Sequence, residues 1–178
     1  GGGVGLLVAL IFKVIYARTT RGRKAAQYDE RQEKARMRAY ASAFWALSVY
    51  TLANGLFVRL TEIVWADAFM QAFIGFCLAG LVAIVQCIRD DAYFSLRERP
   101  GLYLKVFALV FVANLGIGIA AVLASEPIVA GGMLTVRSLN FVVAVVFLVI
   151  LLALWIKRLR DHERALAALD RVGMSGRR

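Results

Sequence analysis

Apolar residues in this chain come in unbroken blocks separated by short charged segments, rather than alternating with polar ones. The blocks cover about 4–17, 40–60, 68–88, 103–124 and 136–156. A helix of about 20 apolar residues crosses the hydrocarbon of a bilayer, and about 17 is the lower limit. Four blocks meet that length. The first is short: Gly1–Gly3 could extend it, Lys13 can snorkel toward headgroups, and an interfacial helix is the alternative. The pattern predicts an all-α, polytopic transmembrane helix bundle with about five spans. It forms one domain over 1–156, followed by a cytoplasmic helical tail over 157–178.

The connections are as patterned as the blocks. Between Arg18 and Arg38 the chain is polar, and from Lys24 onward it is rich in Ala, Glu, Lys, Arg and Gln, with Glu30 and Lys34 in the favourable i,i+4 order. A helix is expected there, running directly into the second span. Arg59, Glu62 and Asp67 mark a short loop at the far end, and Arg59 can pair with Glu62. RDDAYFSLRERPG, Arg89–Gly101, follows the third span, and its Pro100–Gly101 sets up the next helix. SEPIVAGG, Ser125–Gly132, reads as a second short outer loop.

Charge placement gives the threading. All but three of the 22 basic residues fall in Arg18–Arg38, Arg89–Lys105 or the stretch after Ile156. The exceptions are Lys13, Arg59 and Arg137. The positive-inside rule then puts the N-terminus outside and the C-terminus in the cytoplasm, which requires an odd number of spans. The first block's positive charge follows it rather than precedes it, unlike a signal peptide.

Composition agrees. The chain of 178 residues is 61% hydrophobic and 19% charged, against about 45–50% and about 25% in soluble domains. A net charge of +10 alone could suggest nucleic acid, but no recognition motif is present. Anionic lipid headgroups at the cytoplasmic face are the expected counter-charge. Tyr16, Tyr40, Trp65, Tyr93, Tyr103 and Trp155 fall near span ends, as interfacial aromatics do, whereas Trp45 lies one turn inside. Cys77 and Cys87 share one block and, if helical, lie about 15 Å apart, too far to bridge.

Catalytic signatures are sparse. The one histidine, His162, sits between Asp161 and Glu163 in the tail, where a solvated face is expected. No HExxH, GxSxG or GxxxxGK[ST] pattern occurs. No cofactor is expected. Asp90 and Asp91 could hold a divalent ion with Glu98 or Asp29, but pairing with neighbouring arginines is the plainer reading. No ionisable residue lies at the middle of a span, where ion-coupled carriers place one. Asn54, Asn114, Asn140, Gln71 and Gln86 remain as intramembrane polar groups, either lining a path or hydrogen-bonding between helices.

Small residues recur every four positions: Gly75, Ala79 and Ala83; Gly116, Ala120 and Ala124; Ala39 with Ala43, and Ser42 with Ala46. Such stripes let helix backbones approach, within one bundle or between copies. In the tail, Leu159, Leu166, Leu169 and Val172 lie near one face, suiting a membrane surface or a second tail.

DERQEKARMRAY, Asp29–Tyr40, leading into one span, and RDDAYFSL, Arg89–Leu96, after the next hairpin, together resemble a group of small uncharacterised multi-pass bacterial membrane proteins. The resemblance covers the middle of the chain and implies a helical membrane protein with no activity to carry over. It sharpens one expectation: the two motifs share the cytoplasmic face and dock. Asp29 or Glu30 would lie near Arg89 or Arg97, and Arg31 near Asp90 or Asp91. Asp29, Glu30, Arg31, Arg89, Asp90, Asp91 and Tyr93 would then form an interaction surface. The functional expectation is a non-catalytic accessory, regulatory or interaction protein of a bacterial plasma membrane, with a membrane-protein partner or a second copy. The alternatives are a small transporter or channel subunit using Asn54 and Asn114, and a metal-dependent enzyme acting on lipid through Asp90, Asp91 and Glu98.

Overall fold

A computed structural model describes residues 28–94, 100–125 and 127–175. The expected first span, 4–17, and the residues Arg97 and Glu98 lie outside them. The described chain is helical except for its connections: α1 (Glu30–Thr61), α2 (Ala68–Arg89), α3 (Pro100–Leu123), strands β1 (Val129–Ala130) and β2 (Met133–Leu134), a 3-10 turn (Val136–Ser138) and α4 (Leu139–Ser175). Among the described residues, four helices are long and apolar enough to cross a membrane. They coincide with the second to fifth apolar blocks.

The polar helix does run directly into the second span as part of α1, starting at Glu30, whereas residues 24–27 lie outside the described residues. Asp29 is extended (φ −80°, ψ 166°) and caps the helix from outside. Its side chain accepts from the Gln32 backbone N–H, and the Gln32 side chain accepts in return from the Asp29 backbone. This reciprocal box satisfies two N–H groups that the first turn would leave without partners. Composition favoured helix on both sides of Asp29, but the box fixes the boundary.

Helix ends are set without glycine. Glu62, Asp91 and Ser125 take left-handed conformations (φ 59°, 58° and 60°) after α1, α2 and α3. Glu62 is committed to this cap, its N–H bonding the Val58 carbonyl, and no ion pair joins it to Arg59. Pro100 opens α3, where its missing N–H costs no hydrogen bond.

The helices form a row rather than a closed ring. α1 packs chiefly on α2, α2 on α4, and α4 on α3, so α4 inserts between the consecutive helices α2 and α3. The α1–α2 seam is made by small residues. Ala35, Ala39 and Ala79 are buried there. Gly75 is buried too, and a Cβ on it would meet the Tyr50 ring at 2.5 Å. The stripe expected on the next span does not pack: Gly116 faces open space, and Ala120 and Ala124 are exposed. Gly118 makes the close approach instead, against the Phe141 ring of α4. A four-residue period identifies a stripe but not which neighbour it faces.

The loop expected at Ser125–Gly132 is a hairpin. β1 and β2 pair antiparallel through a turn with φ 58° at Gly131 and 80° at Gly132, the two positive angles a tight primed turn needs. β2 also bridges Ala66 in the α1–α2 loop. Asp67 N–H donates to the Leu134 carbonyl at 3.0 Å, and Leu134 N–H to the Trp65 carbonyl at 2.8 Å. The two loops at this end are thus joined through their backbones.

Candidate functional site: a node at the basic end

At the opposite end, where the basic residues gather, α2 stops at Asp90 and the chain turns left-handed at Asp91. Ala92 N–H returns to the Cys87 carbonyl at 2.8 Å, closing a Schellman-like cap with aspartate where glycine is usual. Ala92 is fully buried. The turn leaves the carbonyls of Asp91, Ala92 and Phe94 pointing away from their own helix.

α1 supplies the donors. Gln32 Nε2 donates to the Asp91 carbonyl at 2.7 Å and to the Phe94 carbonyl at 3.3 Å. Arg36 donates to the Ala92 carbonyl at 3.5 Å and to the Tyr40 hydroxyl at 2.8 Å, and its guanidinium lies 4.3 Å from the Tyr28 ring centroid. Gln32 therefore has two jobs, capping its own helix with Oε1 and holding the α2–α3 turn with Nε2. α4 joins through Lys157, whose Nζ lies 2.7 Å from Asp91 Oδ1 and 3.4 Å from Asp161 Oδ2. Asp91 is thus the point where three helices meet: backbone to α1, carboxylate to α4, and its own peptide ending α2.

The two motifs dock, with Arg31 in one cleft with Asp90 and Asp91, but among the described residues no ion pair joins them. Asp29 is spent on capping, Glu30 pairs with Lys34 on its own helix at 2.7 Å, and Arg89 pairs with its neighbour Asp90 at 3.1 Å. Arg31 lines a shared cleft with Asp90 and Asp91 without forming an ion pair to either. Tyr93 packs edge-on against Phe94 and Phe107, within an aromatic run that reaches Phe147 of α4 through Phe107. The residues that make the joint are Gln32, Arg36 and Lys157, none of them among the charged candidates. One signal was available for Gln32: an Asp followed three positions later by Gln ahead of an apolar run is a capping-box pattern. No pattern pointed to a long-range role for it.

Compared with known family models, curated proteins and solved structures, the chain matches none. Its chemistry must therefore be read from the arrangement itself.

The intramembrane candidates separate. Asn54 belongs to a closed amide chain near the hairpin end. Trp65 Nε1 donates to its Oδ1, and its Nδ2 donates to Gln71 Oε1, both at 2.7 Å. Gln71 Nε2 then donates to the Ala66 carbonyl, and the Tyr50 hydroxyl to the Gln71 carbonyl, each at 2.7 Å. Asn114 bonds back to the Val110 carbonyl of its own helix at 2.8 Å. Asn140 lies in the first turn of α4, half-buried. Among the described residues none of the three asparagines is hydrogen-bonded to another.

Proposed function

We propose that this chain is a non-catalytic multi-pass protein of a bacterial plasma membrane, with its N-terminus outside and its C-terminus in the cytoplasm, serving as an accessory or interaction protein through its basic face. Lipid as solvent is supported by the distribution of apolar side chains. Met70 is the only large side chain fully buried among the described residues, while Leu52 is 75% and Phe76 73% exposed. In water such a surface would be an aggregation liability; in a bilayer it is the lipid-facing side.

The observation that carries the interaction reading is the node at Asp91. Gln32, Arg36 and Lys157 lock three helix ends into one platform and use up the buried polar groups in doing so. Glu30, Glu33 and Arg89 are left exposed along its rim. A fixed, charged rim on a self-satisfied base suits recognition by a partner. The transport reading lacks such support, because the Asn54 amide is already consumed by Trp65 and Gln71. The lipid-enzyme reading asks Asp90 and Asp91 to bind a metal while both carboxylates hold cations of this chain.

The test is purification in mild detergent of the wild type and of Glu30→Arg, with identification of what accompanies each. A stoichiometric membrane protein that accompanies the wild type and is lost from E30R is the expected result. A lone monodisperse chain that conducts ions in liposomes would overturn the reading. Threading is checked separately: a C-terminal tag should resist protease outside intact cells.

A further inference from the structure

We infer that the cleft between the basic ends of α1, α2 and α4 binds a phosphate-bearing anion, and that its source is the headgroup of an anionic phospholipid in the adjoining leaflet. The cleft has a volume of about 540 Å³, and Arg31, Arg38, Gln86, Arg89, Asp91 and Arg164 are among the residues that line it, beside Asp90. That is far more room than one phosphate needs and falls within the range of small-ligand sites.

Among the described residues the charges in it do not balance. Asp90 is taken by Arg89, and Asp91 by Lys157. Arg31, Arg38 and Arg164 have no hydrogen bond or ion pair to any described residue. Arg31 and Arg38 are seven positions apart, two turns along one face of α1. Arg164 is likewise two turns beyond Lys157 on α4, so it follows the lysine that docks α4 on Asp91. Three guanidiniums that border one space and are unpaired among the described residues would together attract an anion into it. A tetrahedral phosphate accepts bidentate hydrogen bonds from guanidinium better than from any other cationic side chain.

The position favours a lipid source. Ser42 lines the cleft where the charged part of α1 gives way to its apolar part. Tyr40 on α1 and Trp155 on α4 are exposed at the same boundary, the level at which amphipathic rings meet headgroups. Two carboxylates and the carbonyl end of α2 line the cleft as well, so the phosphate goes to the arginines. The hydroxyls of a glycerol headgroup would then face Asp90 as donors.

The inference rests on the membrane placement proposed above but not on the partner reading, and its test does not involve Glu30. The full chain is purified in detergent, supplied with equal phosphatidylglycerol and phosphatidylcholine, and bound lipid is counted by native mass spectrometry. Each basic group near an anionic surface strengthens binding of an anionic headgroup severalfold. Wild type should therefore retain phosphatidylglycerol over phosphatidylcholine by at least roughly tenfold, and R31A/R38A/R164A should lose that preference. R59A, at the other end of α1, should keep it. Melting temperatures in lipid-free detergent check that the triple variant is folded. If it is not, R164A alone, on the exposed tail, should still reduce the preference severalfold. Equal retention of both lipids by the wild type, or a preference that survives the triple variant, would overturn the site. If inorganic phosphate alone raises the melting temperature of wild type but not of the triple variant, while no lipid preference exists, the lipid source is rejected.

Discussion

The two ends of the molecule are closed by different means. At the basic end, side chains reach across helices to backbone carbonyls and to a carboxylate: Gln32 and Arg36 hold the turn after α2, and Lys157 holds Asp91. At the hairpin end, backbone pairs with backbone, and neutral amides and an indole complete a chain from Trp65 to Ala66. The basic end is rich in arginine and lysine, and its joints can respond to salt and to charged ligands. The hairpin joint carries no net charge and depends on geometry alone.

This contrast predicts graded effects. The largest is expected for Gln32→Ala, which removes the reciprocal cap and leaves the Asp91 and Phe94 carbonyls without their donor. Stranding buried polar groups costs about 1–3 kcal/mol. Thermal unfolding in detergent measures the loss, and hydrogen exchange should locate it in the first turns of α1 and the turn after Arg89. If exchange quickens equally at the hairpin, the two ends are not independent and the contrast fails.

Asn54→Ala comes next. It breaks the amide chain in the middle, depriving the Trp65 indole of its acceptor and Gln71 of its donor. Hydrogen bonds between helices in lipid average about 0.6 kcal/mol and reach about 1.7. A loss in that range is expected, unchanged between low and high salt, with faster exchange confined to the Trp65–Asp67 segment and the hairpin.

The smallest effect belongs to Lys157→Met. Lys157 keeps 17% of its side chain exposed but Asp91 keeps 62%, so solvent screens the pair. Such pairs contribute a few tenths to about 1 kcal/mol. The loss should be visible at low salt and fade at high salt, opposite to the salt-independent behaviour of Asn54→Ala. A salt-independent loss would mean that Lys157 acts through its aliphatic stem rather than its charge.

The helices were legible because solvent choice is written into long runs of residues, and four described helices lie where the apolar blocks do. Their ends were less so. Glycine usually signals a left-handed terminus, and here Glu62, Asp91 and Ser125 occupy those positions. The hairpin was hidden because strands as short as Val129–Ala130 and Met133–Leu134 have no periodicity to read. The Gly131–Gly132 pair alone hinted at a turn. At the node, opposite charges in two motifs suggested attraction, and the motifs do meet. Glu30 and Asp90 found partners beside them, however, Asp91 pairs with Lys157 of α4, and a neutral glutamine joins the two motifs. Local ion pairs cost little chain entropy to form, which favours Glu30–Lys34 and Arg89–Asp90 over pairs between the motifs.

Single-helix continuity in α4 has a mechanical consequence. Its charged part, from Lys157 to Ser175, extends roughly 28 Å past the apolar part at 1.5 Å per residue. A rod of that length, held at its base by the Lys157–Asp91 pair and bordering the cleft at Arg164, is a lever. A tilt of about 10° about Lys157 would sweep its tip through roughly 5 Å. Small changes in the grip of Asp91 would thus be amplified into displacements large enough for another molecule to sense.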